Sequence, residues 1–268
     1  MINVEYISSD GKKYSLQNDK RWITEGTFHR RSWKQNQKGF KRESVTYDLT
    51  LTIRGTLEER IDFLNEFRAS IDNDVIKNKE GTISVNGAYI KGFFTESETG
   101  VSEIKKCWSE IKLKLYCKES AWITEKGYEF KKGIEKKSGD WLDFSIDFPF
   151  DLTGDEKGIG NVQIDHYTEC DFLLTLYGPC TNPRIVIGDN LYEVKTKLDE
   201  GEYLTINSRA GTVVRVRTSG IEVNEFDNRT TVPNSPFEKI QPGYNLVSWD
   251  GSFGFDLLLY MERSEPAW

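Results

Sequence analysis

The sequence predicts a mainly β protein of two domains: a β-rich N-terminal domain carrying one α-helix, then a C-terminal antiparallel β-sandwich. Three observations predict it. Apolar residues recur with a period of two along most of the chain, the mark of half-buried strands. One segment alone, residues 57–71, carries a helical period. After residue 122 the composition turns polar, and short apolar runs then alternate with turn signals, as in a sandwich. A chain of 268 residues also suits two domains of roughly 100–200 residues each. The expected boundaries are 1–122 and 123–268.

The elements follow in order. Residues 2–16 read as a hairpin around Asp10-Gly11, a favoured turn pair. In residues 45–54, Val45, Tyr47, Leu49, Leu51 and Ile53 face one way, while Thr46, Asp48, Thr50, Thr52 and Arg54 face the other. That alternation is a half-buried strand. Leu57, Ile61, Leu64, Phe67 and Ile71 recur at helical spacing, so the helix should run over about 57–71 with those residues on its buried face. Thr56 followed by Glu59 at the third helical position forms a capping box. Asn86-Gly87 marks a second hairpin that sets Ile83 opposite Ile90 and Val85 opposite Ala88. Residues 107–117 alternate again, with Ile111, Leu113 and Leu115 on the face of the cysteines. Residues 123–139 are polar, with five lysines, three glutamates and three glycines. Strands are then expected at 142–148, 172–177, 184–187, 203–206, 212–217, 245–249 and 255–261. Turns at Gly188-Asp189-Asn190, Glu200-Gly201, Ser219-Gly220, Pro242-Gly243 and Asp250-Gly251 divide them.

Composition excludes several classes. The 15 Phe, 12 Tyr and 7 Trp argue against disorder, because disordered chains are poor in aromatics. No stretch approaches the roughly 18 apolar residues of a membrane helix, and residues 1–5 show no secretory leader. The net charge is -7, unevenly spread. Residues 1–122 hold 21 Lys and Arg against 18 Asp and Glu, for +3; residues 123–268 hold 15 against 25, for -10. A half so acidic is a poor nucleic-acid surface. Cys107, Cys117, Cys170 and Cys180 form no C-x-x-C. Cys107 and Cys117 on one strand stand some 33 Å apart at about 3.3 Å per residue, beyond the roughly 7 Å a disulfide spans. Reduced core thiols are the expectation.

Catalysis has little support. His29 and His166 are the only histidines, and no G-x-S-x-G elbow occurs, since Gly251-Ser252-Phe253-Gly254 has the wrong spacing. No phosphate-cradling glycine motif occurs either. The acids Asp140, Asp143, Asp147, Asp151 and Asp155 read as a solvated strand face, because Phe144, Ile146 and Phe148 fill the opposite one. No catalytic residue, cofactor site or metal site is expected. The basic run from His29 to Arg42 holds Arg30, Arg31, Lys34, Lys38, Lys41 and Arg42 with no acid, and Trp33 and Phe40 lie between. It suits a contact with a subunit or another protein, a plain loop, or nucleic acid.

The order of features resembles one family. A strand Tyr47-Asp48-Leu49-Thr50-Leu51-Thr52-Ile53-Arg54-Gly55 leads into a helix with Phe63-Leu64-Asn65-Glu66-Phe67-Arg68. An Asn-Gly hairpin follows, then a strand closing on Cys117-Lys118-Glu119-Ser120-Ala121-Trp122. Downstream come Tyr177-Gly178-Pro179-Cys180-Thr181-Asn182-Pro183-Arg184-Ile185, Gly201-Glu202-Tyr203 and Pro242-Gly243-Tyr244-Asn245. This resembles the distal tail proteins of long-tailed, non-contractile bacteriophages, over nearly the whole chain. The resemblance implies a galectin-like sandwich and a structural tail protein of phage or prophage, not an enzyme. It implies a hub joining the tail tube to the tail tip or baseplate, as a hexameric ring with a central channel through which DNA passes. It implies tail tube, tape measure and tail-tip or receptor-binding proteins as partners, and the virion tail as location after synthesis in the bacterial cytoplasm. No membrane role and no cofactor are implied. Ring contacts are expected mainly from the N-terminal domain, with Arg30, Arg31, Lys34, Lys38, Lys41 and Arg42 as candidates. The Arg30–Arg42 segment and the lysine-rich 126–137 segment have no counterpart in the family pattern. The alternative is a carbohydrate-binding, lectin-like sandwich recognising cell-wall glycan, for which Trp141 and Trp249 are candidate aromatic platforms, although both read first as buried core aromatics.

Overall fold

Strand formation follows the alternation of the sequence through both parts of the chain. The structure, a computed structural model, describes residues 3–37, 39–99, 107–133, 158–232 and 235–266. It divides into two compact units, Met1–Thr124 with Glu262–Trp268, and Glu125–Met261. The first unit holds β1 (Val4–Ile7), β2 (Lys13–Ser15), β3 (Arg21–Glu25), β4 (Trp33–Asn36), β5 (Gly39–Arg42) and β6 (Val45–Arg54). The helix α1 (Leu57–Ile76), β7 (Gly81–Val85), β8 (Ala88–Thr99) and β9 (Trp108–Cys117) follow. The strand β10 (Trp122–Phe130) carries the chain into the second unit.

All pairings in the first unit are antiparallel. The strand β6 pairs with β9 over ten residues, from Val45↔Cys117 to Arg54↔Trp108, and with β3 on its other side. The β7–β8 hairpin turns at Asn86-Gly87 and sets Ile83 against Ile90 and Val85 against Ala88, as expected. Both turn residues have positive φ, 50° and 85°, the mirror-image turn that suits the strand twist. The β1–β2 hairpin also forms, but its register Ile7↔Lys13 makes a five-residue loop rather than a two-residue turn at Asp10-Gly11. Close approach governs Gly92, where a Cβ would stand 2.5 Å from the Tyr116 carbonyl oxygen and 2.7 Å from Cys117 Sγ.

The helix differs from expectation in length and in face. It runs to Ile76, one turn and more beyond residue 71. The capping box is present: Thr56 Oγ1 accepts from the Glu59 N–H at 3.2 Å and Glu59 Oε2 accepts from the Thr56 N–H at 3.0 Å. The buried residues are Arg60, Leu64, Phe67, Ser70, Ile71 and Asp74. Leu57 and Ile61 are 47% and 42% exposed, so the core face is rotated away from them. Polar groups fill the rest of that face because partners await them. Arg60 donates to Ser109 Oγ at 2.5 Å. Tyr14 Oη and Ser70 Oγ share a hydrogen bond of 2.6 Å. Asp74 accepts from the Tyr6 hydroxyl, and from Ser9 N–H at 3.0 Å and Ser9 Oγ at 2.7 Å. Around them Tyr6, Tyr14, Phe67 and Phe94 meet edge-to-face at 5.1–5.7 Å.

The second unit is an antiparallel β-sandwich. Its strands are β11 (Gly158–Ile164), β12 (Asp171–Tyr177), β13 (Cys180–Thr181), β14 (Arg184–Ile187), β15 (Asn190–Glu193) and β16 (Lys197–Leu198). Then come β17 (Tyr203–Asn207), β18 (Thr212–Val216), β19 (Glu222–Asn224), β20 (Gly243–Trp249) and β21 (Phe255–Arg263). One sheet has the order β19-β18-β17-β12-β21-β10; the other has β11-β20-β14-β15. Alternate residues of both fill one core. Phe172, Leu174, Leu176, Leu204, Ile206, Phe255, Leu257 and Leu259 come from the first sheet, and Val162, Ile164, Ile185, Ile187, Val247 and Trp249 from the second. The expected strands at 172–177, 184–187, 203–206, 212–217, 245–249 and 255–261 each meet one of these elements within two residues. The expected strand 142–148, the acids from Asp140 to Asp155 and Trp141 lie outside the described residues. Among the described residues, no helix is long and apolar enough to cross a membrane.

Candidate functional site

The basic run folds as a hairpin. Strands β4 and β5 form a two-stranded sheet of their own, with Trp33↔Arg42, Lys34↔Lys41, Gln35↔Phe40 and Asn36↔Gly39 paired. Gly39 at the turn has φ 129°, a region open to glycine at no steric cost. Paired residues share a face, so the register gives the hairpin two unlike sides. Trp33, Gln35, Phe40 and Arg42 form one. Lys34 and Lys41 mark the other. Trp33 is 47% and Phe40 69% exposed, a wet aromatic surface on a short ribbon.

The six basic residues divide by role. Arg42 is half-buried; it donates to Glu262 at 2.7 Å and lies 5.3 Å from the Trp33 ring centroid. It is an anchor for the ribbon. Arg30 donates to the Thr46 carbonyl oxygen at 3.2 Å, tying the approach to the hairpin onto β6. Lys34 meets Glu43 at 3.2 Å across exposed surface, a pair worth about 0–1 kcal/mol. Arg31 and Lys41 are exposed. Lys38 lies outside the described residues. The structure thus brings Lys34 and Lys41 together on one face and assigns Arg30 and Arg42 to holding the hairpin. Sequence reasoning missed that Trp33 and Phe40 share a face. The Trp-x-Gln and Phe-x-Arg alternation across a central Gly39 was the available signal. Nothing in the sequence points to Glu262, which is 220 residues away.

Other candidate groups are absorbed by the fold. Trp249 is 8% exposed. Its Nε1 donates to the Phe253 carbonyl oxygen at 2.9 Å, and its ring packs 5.1 Å from Phe255 and 5.7 Å from Phe130. It is a core residue, the reading the sequence favoured, and it does not serve the lectin alternative as a platform. No disulfide joins the four cysteines. Cys117 and Cys170 are buried as expected, but Cys107 is exposed and Cys180 half-buried, so the expectation of core thiols fails for those two. Burial pushes the Cys117 thiol up to about 12 and the Cys180 thiol up to about 11. His166 is buried with its ring 4.3 Å from Tyr167. Among the described residues no group of His, Cys, Asp and Glu is disposed to hold a metal ion.

The architecture has close counterparts among solved structures. A chain of the phage P2 baseplate in its activated conformation with Ca superimposes with a TM-score of 0.59 at 13% identity. That match covers 99% of this chain and 100% of the other. The chain shares its fold with phage baseplate proteins. A second match is the Dit protein (gp 19.1) of phage SPP1, described as a paradigm of the hub adsorption apparatus in phages infecting Gram-positive bacteria. It has a TM-score of 0.58 and 10% identity over 98% of this chain and 99% of that one. A third is from the phage p2 baseplate with Sr, at TM-score 0.58 and 12% identity. The resemblance to distal tail proteins read from residue order is therefore present in the fold of the entire chain. No protein-family model and no curated protein matches the sequence.

Proposed function

We propose that this protein is a structural component of a phage tail, the hub between the tail tube and the tail tip or baseplate, and not an enzyme. The observation that carries the reading is end-to-end coverage: 98–100% of both chains align with baseplate and hub proteins, so both units take part in the likeness. In this reading several copies, six by family resemblance, close into a ring around a channel that DNA crosses. The first unit builds the ring. Its partners are further copies of itself, the tail tube and tape measure proteins, and proteins of the tip, and its place is the virion tail. The β4–β5 hairpin supplies a contact with a neighbouring subunit or tail component. Exposed aromatics such as Trp33 and Phe40 are enriched at such contacts; the exposed lysines on the opposite side of the ribbon bear on encounter rate and salt sensitivity, and the net charge of -10 on residues 123–268 is of the opposite sign.

Light scattering and negative-stain microscopy of the full-length protein test the reading. Closed rings are expected, and they should dissociate as salt rises, because exposed charge pairs are screened beyond a Debye length of about 8 Å at physiological salt. The variant Arg31→Gln, Lys34→Gln, Lys41→Gln should assemble more slowly while folding normally, since none of those side chains is buried. A protein that stays monomeric at all concentrations refutes the ring. Normal assembly of the triple variant removes the hairpin from it.

A further inference from the structure

The outer face of β3, β6 and β9 carries a groove of about 410 Å³ that neither the core nor the hairpin uses. Register fixes its residues. Trp22 stands opposite Thr52 and Thr52 opposite Glu110, while Arg54 stands opposite Trp108. Residues directly opposite share a face, so the two indoles flank β6 on the same side of the sheet. Two strand spacings and an offset of two residues put their Cα atoms about 12 Å apart. Both indoles are half-buried, Arg54 is exposed and Glu110 is half-buried. The floor between them is hydroxylic. Thr24 and Thr52 hydrogen-bond through their Oγ1 atoms, and Thr52 is only 4% exposed although it lies on the outer side.

The chemistry of the lining selects the ligand. The volume falls in the range of small-molecule sites, about 300–1,000 Å³. A groove built for a protein partner would be apolar at its centre and depleted of charge; here Arg54, opposite Trp108, and Glu110, two residues along β9 from Trp108, bring two charges into a lining that the exposed Cys107 completes. An indole offers a flat apolar face with a polar edge, which suits a ring whose C–H groups line one side and whose hydroxyls line the rim. Arg54 presents forked donors and Glu110 presents acceptors, the complement of neighbouring hydroxyls. Their charges cancel, so a neutral ligand is favoured over an anion. We propose that this groove binds a short neutral oligosaccharide, with Trp22 and Trp108 as stacking faces and Arg54, Glu110 and Thr24 as hydroxyl partners.

This inference does not depend on the hub reading, and its failure would leave that reading standing. The test is titration of the full-length protein with maltotriose, cellotriose and triacetylchitotriose, followed by tryptophan fluorescence and calorimetry. Binding of at least one is expected with a Kd of about 1 mM or tighter. Trp22→Ala and Trp108→Ala should each weaken it about tenfold or more, an amount equal to 1.4 kcal/mol. Trp33→Ala, on the separate hairpin, should leave it unchanged. Arg54→Ala keeps both indoles and removes only an exposed side chain, so it reports on the groove even if an indole variant misfolds; it too should weaken binding. No response to any of the three sugars overturns the proposal. So does binding that survives the groove variants, or a change of oligomeric state in Arg54→Ala, which would make the face a subunit contact.

Discussion

Asp74 gives the sharpest test of how the first unit is held together. It is 1% exposed near the C-terminal end of α1, and its carboxyl accepts from the Tyr6 hydroxyl and from Ser9 N–H and Oγ. The substitution Asp74→Ala removes all three acceptor contacts at once. The Tyr6 hydroxyl and the Ser9 amide are then left as unpaired donors, each costing about 1–3 kcal/mol when buried. Set against this, loss of an acidic group from a helix C-terminal end returns about 0.3–1 kcal/mol. The net expectation is a destabilisation of about 2–5 kcal/mol. Tyr6→Phe alone leaves Asp74 with its two Ser9 donors and should cost about 1–2 kcal/mol. The double variant should cost less than the sum of the two, because with no carboxyl present the phenol is an unsatisfied donor whose removal relieves a penalty. Urea unfolding followed by circular dichroism measures all four proteins. Strict additivity, or an Asp74→Ala protein within about 0.5 kcal/mol of wild type, the range of an ordinary surface change, would show that this network does not fasten the helix to β1.

Two further outcomes follow from the same core. Leu64→Ala should cost about 2–5 kcal/mol, whereas Leu57→Ala, at an exposed position, should stay within about 0.5 kcal/mol; equal effects in thermal melts would mean the buried face is assigned wrongly. Stability should also fall in alkali: burial lifts Cys117 from its usual 9.0 to about 12 and Tyr47 from 10.0 to about 12. Both are held neutral in the folded state while the unfolded chain ionises, so the loss begins near pH 9 and continues to about 12. Cys117→Ser should flatten the lower part of that decline, and an unchanged midpoint between pH 8 and pH 11 in wild type would refute it.

Sequence patterning recovered those elements whose two faces differ in polarity. The strand β6 alternates without a break in sequence, and its observed bounds, Val45–Arg54, are the expected ones, but Thr50 and Thr52 on its polar side are buried too, so it is not half-buried throughout as expected. The Asn86-Gly87 turn fixed its hairpin register to the residue, because a turn demanding positive φ at two positions leaves one solution. The helix was legible in place and cap but not in face. Periodicity counts apolar residues, and here Arg60, Ser70 and Asp74 occupy inner positions that only tertiary partners explain. The strands β3, β4, β5 and β10 carried no clean alternation. In β3 a register shift between Ile23 and Glu25 breaks the period, and in β4–β5 no core face exists to impose one. Trp249 was ambiguous for a related reason: a tryptophan serves core and platform alike, and only the Phe253 carbonyl that accepts from its Nε1 decides between them.

The basic run shows why charge counting alone overstates a charged surface. Six cations in one stretch read as one electrostatic surface, yet Arg42 spends its charge on Glu262 and Arg30 on a backbone carbonyl. Among the described residues, the charge left for the proposed contact is Arg31, Lys34 and Lys41, on a ribbon whose other side carries Trp33 and Phe40. In the proposed contact these two groups would act on different steps of association. Exposed charges raise the encounter rate and make it sensitive to salt, whereas desolvated aromatics hold the complex once formed. A hairpin so composed is therefore expected to lose on-rate when its lysines are neutralised and residence time when Phe40 is truncated. The anchor explains why both groups can be presented at all. A two-stranded ribbon alone is marginally stable in water, and Arg42, pinned between Trp33 and Glu262, ties its base to the first unit.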